Sequence, residues 1–150
     1  MMLSNALISL RRYNEDFPAD PTVELQAIGA VLTAPKHCYA AAFLKRAQPG
    51  VFFCRDHAWL WGKMIDGIVK GMCNFHSERE FGWWLSRYRI IPSFKSTFGY
   101  SVASVIVPAF SAGLWWHGNY YLDCVIEIAK RRNRIVKAAA ELSEALGCGQ

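Results

Sequence analysis

The densest chemistry in this sequence is basic. Lys130, Arg131, Arg132, Arg134 and Lys137 stand within eight residues and supply five of the seventeen basic residues of a chain with a formal charge of +5. Guanidinium forks grip carboxylates and phosphates through paired hydrogen bonds, so the cluster reads as a patch for an acidic protein surface or for a phosphate backbone. The plain alternative is a solvated helix face that needs no partner. Residues 131, 132 and 134 diverge around a helix instead of forming one broad stripe, which favours a protein partner and leaves DNA contact secondary.

No other constellation suggests a reaction. A phosphate-cradling loop of the form G-x-x-x-x-G-K-[ST] is absent, so the chain is no nucleotide-driven motor by itself. There is no G-x-S-x-G, no H-E-x-x-H and no dinucleotide fingerprint, and Glu78 and Glu80 lie two apart on a helix, hence on different faces. The histidines at 37, 57, 76 and 117 have no metal-ligand spacing to one another, to cysteines or to carboxylates. The expectation is a protein that is not an enzyme, with no catalytic residue, no metal and no cofactor. Trp83/Trp84 and Trp115/Trp116 have the faces to stack bases. Neighbours on a helix diverge by about 100 degrees, however, so one of each pair should be core and the other rim. The five cysteines, at 38, 54, 73, 124 and 148, form no C-x-x-C pair, and reduced thiols in a cytoplasmic protein account for them most simply.

The elements that must position these residues are helices. Leu60, Trp61, Met64, Ile65 and Ile68 recur at the spacing of one helix face, with Asp56 as the expected cap. That face is heavy enough to be central, at roughly 1.5 to 3 kcal/mol per fully buried side chain. Together with Ile28, Leu32 and Phe53 it makes the expected core. Before it, Thr22 is the expected cap of a helix over residues 23–33, where Gly29 permits close approach by a neighbour, and a second helix runs from His37 to Ala47. After it, Ser77 and Glu80 form a capping box for a helix from Glu78 to Tyr88. Residues 90–97 read as a loop, and a short helix from Tyr100 should break at Pro108. The last element, residues 120–146, carries Leu122, Val125, Ile126, Ala129, Val136, Ala139 and Leu146 on an apolar stripe suited to self-association or a partner helix. At about 1.5 Å per residue it is long for a compact domain, so it should project or fold into a hairpin.

Length and composition agree with an all-α chain organised as a flexible arm over 1–22 and a single helical domain over 23–150. The apolar fraction is 53% and the charged fraction 19%, a bias toward surface hidden by a partner or a second copy. The 27 uncharged residues between Lys95 and Asp123 are long enough for a membrane span. They are interrupted by Gly99, Pro108, Gly113 and Gly118 and diluted by serines, so a buried segment of a soluble protein is expected and no membrane partner.

Three blocks together resemble the N-terminal domain of the DnaB family of replicative DNA helicases. The first is PADPTVELQAIGAVL, with Pro18, Glu24, Ile28, Gly29, Ala30 and Leu32; the second is FFCRDHAWLWGKM, with Phe53, His57, Leu60, Trp61 and Met64. The third is YYLDCVIEIAKRRNRIVKAAAELSEAL, with Tyr121, Val125, Arg131, Arg132, Ile135, Ala138 and Leu142. Where that family carries Gly-Gly before a short Tyr-Leu helix, this chain has Phe98-Gly99-Tyr100. The resemblance implies a small helical globule followed by a helical hairpin through which copies associate, and a surface that meets primase or loader proteins. The family's linker and motor domain are not among the 150 residues. The expectation is therefore a DNA-replication accessory protein of the phage or plasmid kind that binds a replicative helicase as loader or modulator, or binds primase. The alternatives are an excised N-terminal domain of a full-length helicase and a small nucleic-acid-binding helical protein.

Overall fold

The structure is a computed structural model that describes residues 18–147. Among these residues there are seven α-helices and no strand: α1 (Pro21–Thr33), α2 (His37–Lys45), α3 (Arg55–Met64), α4 (Glu78–Arg87), α5 (Ile90–Phe98), α6 (Ala103–Ala112) and α7 (Gly118–Gly147). The all-α class expected from periodicity is what is found. The chain divides into two units, Asp20–Ile126, and Met1–Ala19 with Glu127–Gln150, so the boundary falls inside α7 and not between an arm and a single domain. Residues 1–17 of the expected arm lie outside the described residues.

Helix boundaries follow local chemistry, with several corrections. Helix α1 starts at Pro21, because proline is preorganised for the first helical position and the carboxylate of Asp20, not Thr22, accepts the Val23 N–H at 3.1 Å. Helix α3 starts at Arg55; Asp56 is already inside it, and Cys54 holds the cap position with no side-chain cap of its own. Ser77 does cap α4 by accepting the Glu80 N–H at 3.4 Å, while its own N–H donates to the Asn74 carbonyl. Residues 90–97 are helix, not loop: Pro92 sits in the first turn of α5, where a missing N–H costs nothing, and Ile90 and Phe94 are fully buried one turn apart. Pro108 does not end α6. The carbonyl deprived of a donor belongs to Ser104, and both residues are exposed, so water can satisfy it.

The core of the Asp20–Ile126 unit contains Ile28, Leu32, Leu60, Trp61, Met64 and Ile68, as the sequence indicates. Phe53 is not part of it. Phe52 is buried against Trp61, with ring centroids 4.6 Å apart, whereas Phe53 and Ile65 are only half-buried. Two glycines determine how closely helices meet. A Cβ on Gly29 of α1 would collide with the Ala109 carbonyl and lie 2.8 Å from the Gly113 nitrogen, so α1 and the end of α6 cross backbone to backbone. A Cβ on Gly67 would occupy the indole of Trp84. Gly67 lies in a π-helical continuation of α3 (Ile65–Lys70). Carbonyls of this segment and of the last turn of α3 accept from side chains. Trp84 Nε1 donates to Lys63 at 2.9 Å, Tyr88 to Asp66 at 3.0 Å, and the His37 ring nitrogen Nε2 lies 2.8 Å from the Ile68 carbonyl.

Helix α7 is 30 residues and unbroken, about 45 Å at 1.5 Å per residue, so the expected hairpin does not form within it. Among the described residues no single helix is long and apolar enough to cross a membrane; α5 and α6 are together apolar enough but bend by 107°.

These contacts make glycine replacements diagnostic. Gly29→Ala should cost about 3 kcal/mol or more, because the obstruction is backbone and cannot swing aside. Gly82→Ala, on exposed α4 with nothing near its Cβ, should stabilise by about 0.5 to 1 kcal/mol. Urea denaturation midpoints with unchanged slopes would register both.

Candidate functional site

The sequence places Glu24 on α1 and His57 on α3 with nothing to link them; the fold makes them neighbours. Both are buried, and His57 Nδ1 lies 2.9 Å from Glu24 Oε1. The same carboxylate accepts the Phe53 N–H at 2.7 Å and the Cys54 N–H at 3.2 Å, and an acceptor of two backbone donors is an acceptor for the imidazole too, which puts a proton on Nδ1. Glu24 therefore holds, from another helix, the two backbone donors that lead into α3, while Asp56 accepts the His57 N–H at 2.9 Å, and the negative charge of Glu24 lies at the positive end of the α3 dipole. The Cys54 sulfur is part of this group: one ligand-type atom from each of Glu24, Cys54 and His57 lies within 4.8 Å of the others. Contrary to the expectation that no histidine stands at a metal-ligand spacing to a cysteine, Cys54 and His57 form a Cys-x-x-His pair across a helix start, but Glu24 is about thirty residues earlier and only the docking of α1 reveals it. The set can do two things chemically: hold a buried polar junction together, and offer oxygen, nitrogen and sulfur to a cation.

The basic cluster is not one patch. Arg132 is buried and donates to the Pro18 carbonyl at 3.0 Å, a structural role. Lys130, Arg131, Arg134 and Lys137 are exposed. Lys130, Arg134 and Lys137 share one helix face, and Arg134 approaches Glu127 of the same face at 3.8 Å.

The expected association stripe is largely consumed inside the chain. Leu122 and Val125 belong to the core of the Asp20–Ile126 unit, and Ala129 and Ala139 are buried as well. Ile126 and Val136 are half-buried, and Leu146, with Leu142, remains exposed. Helical spacing identifies an apolar face but not what covers it.

Several open apolar side chains lie close together in sequence, between residues 107 and 120. Val107 and Trp116 are 63% and 60% exposed, with Phe110, Leu114 and Tyr120 also open. Each tryptophan pair divides as its spacing requires: Trp84 is fully buried and Trp83 exposed, while Trp115 stacks on Tyr39 at 5.1 Å and Trp116 is open. Among titrating groups, the hydrogen bond from the Tyr100 hydroxyl to Asp56 at 2.6 Å, with burial and the carboxylate's charge, pushes the phenol up to about 12. Burial, then the charge of Glu80, raises the Cys73 thiol.

Compared with protein-family models, with curated proteins and with solved structures, the chain finds no match in any of the three.

The Glu24 junction makes a sharp stability prediction. Glu24→Ala orphans two backbone donors and an imidazole at a buried point, and should cost on the order of 3 kcal/mol in urea denaturation. Asp20→Ala, which removes an ordinary cap, should cost only about 1 kcal/mol. Equal losses would show that water replaces Glu24 as readily as it replaces a surface cap.

Proposed function

We propose that this chain is a DNA-replication accessory protein without catalysis of its own, resembling the N-terminal domain of the DnaB helicases and binding a replicative helicase or primase through protein–protein contacts. The observation that carries this reading is the meeting of residues from separate resemblance blocks: Glu24 of the first accepts from Phe53 and His57 of the second. A chance likeness spread over two distant stretches has no reason to choose residues that touch. The surface supports a protein partner. The open aromatic and aliphatic residues from Val107 to Tyr120 include the types enriched in protein interfaces. With Arg132 buried, three of the four basic residues that remain exposed, Lys130, Arg134 and Lys137, are mixed with Glu127 on one face, which suits carboxylate pairing better than tracking a phosphate backbone.

A second reading, a nucleic-acid-binding helical protein, has one observation in its favour: Lys130, Arg134 and Lys137 are exposed at i, i+4 and i+7. Salt separates the two. Binding to phosphates releases counterions, giving a log-log salt slope of roughly 0.7 to 0.9 per contact, and lysine then substitutes well for arginine.

The test is calorimetry of the purified chain against the replicative helicase and the primase of its host, beside titrations of single-stranded and duplex DNA at two salt concentrations. One of the two proteins should bind, and Phe110→Ala with Trp116→Ala should weaken that binding by roughly tenfold or more while helix content is unchanged. No ATP hydrolysis should track the protein through purification. Micromolar DNA binding at physiological salt, with neither protein bound, would favour the second reading.

A further inference from the structure

We infer that Glu24, Cys54 and His57 form a binding site for a thiophilic divalent cation of the zinc class. The three residues offer a carboxylate, a thiol and an imidazole, and their ligand-type atoms already lie within 4.8 Å of one another. Four-coordinate zinc, with bonds of about 2.0 to 2.3 Å, holds its ligand atoms roughly 3.3 to 3.7 Å apart. The 2.9 Å separation of His57 Nδ1 and Glu24 Oε1 is shorter than that, and the 4.8 Å limit is longer, so small side-chain adjustments suffice.

The chemistry of the set selects the ion. A sulfur ligand disfavours magnesium and calcium, which take oxygen, while sulfur with nitrogen and one oxygen suits zinc or cobalt. Charge favours it too: a thiolate and a carboxylate together cancel a dication, so the occupied junction is neutral where Glu24 and His57 are buried. Proton balance is simple. Cys54 gives up its thiol proton to solvent, and His57 stays neutral by carrying its proton on Nε2 instead of Nδ1, which frees the Nδ1 lone pair. Glu24 Oε1 exchanges the imidazole for the cation, and Oε2 keeps the Phe53 N–H that it holds at 2.7 Å. Three protein ligands leave a fourth position for water or a partner's side chain. The ion would pin the start of α3 to α1.

Cobalt(II) is the probe, added to the full chain after chelator treatment. The expected result is one cobalt per chain, with a thiolate-to-cobalt charge-transfer band and the intense visible bands of tetrahedral cobalt, both lost on adding zinc. Cys54→Ser should abolish the charge-transfer band, and Cys38→Ser, at an exposed cysteine, should leave it intact. Should Cys54→Ser fail to fold, alkylation of the wild type decides: zinc should slow modification of Cys54 by about tenfold or more and leave Cys38 unchanged, because a coordinated thiolate is a poor nucleophile. Absence of the band, a band that survives Cys54→Ser, or zinc-independent alkylation of Cys54 would overturn the inference.

Discussion

A single carboxylate organises the Asp20–Ile126 unit. Burying Glu24 is unfavourable unless its oxygens are satisfied, and the donors that satisfy it come from Phe53, Cys54 and His57, about thirty residues away. The start of α3 and the docking of α1 are therefore one event. Within α3 itself Asp56 accepts the His57 N–H at 2.9 Å, but the Phe53 and Cys54 N–H groups just before it are held by Glu24 of α1. Once that end is held, Leu60, Trp61 and Met64 enter the core at the correct height, and Trp61 completes its hydrogen bonding on the Ala47 carbonyl at 2.9 Å.

The remaining helices pack through missing side chains as much as present ones. Gly29 and Gly113 let α1 and the end of α6 meet at backbone distance, and Gly67 leaves space for the Trp84 ring. The π-helical segment after α3 belongs to the same solution. Its carbonyls at Asp66 and Ile68 take the polar atoms of Tyr88 and His37, and the Lys63 carbonyl just before it, in the last turn of α3, accepts from Trp84, so an aromatic-rich chain buries large rings without stranding their donors. A protein with so many tryptophans needs acceptors inside, and an irregular helix provides them.

Functionally, this packing shifts attention away from the long C-terminal helix. Its stripe at Leu122, Val125, Ala129 and Ala139 is already covered, and Arg132 binds a backbone carbonyl, so much of the apolar stripe and one of the five clustered basic residues are internal structure. The open apolar side chains from Val107 to Tyr120 come from the uncharged stretch that periodicity describes least well.

The sequence by itself determined the class and much of the core. Helical periodicity identified α1 to α4 and α7, and the buried Ile28, Leu32, Leu60, Trp61, Met64 and Ile68 were legible because the same spacing that makes a helix amphipathic determines which side faces inward. The close approach at Gly29 was legible for an equally local reason. Tertiary structure decided the rest. A proline's effect depends on whether it falls in a first turn, as Pro92 does, or beside water, as Pro108 does, and both depend on where the helix sits. In the Glu24–Cys54–His57 junction the Cys-x-x-His pair stands in the sequence, but Glu24 joins it only because folding closes a separation of about thirty residues. The fate of the α7 stripe was undecided for the same reason: an apolar face states a need for cover, and only the other elements decide what provides it.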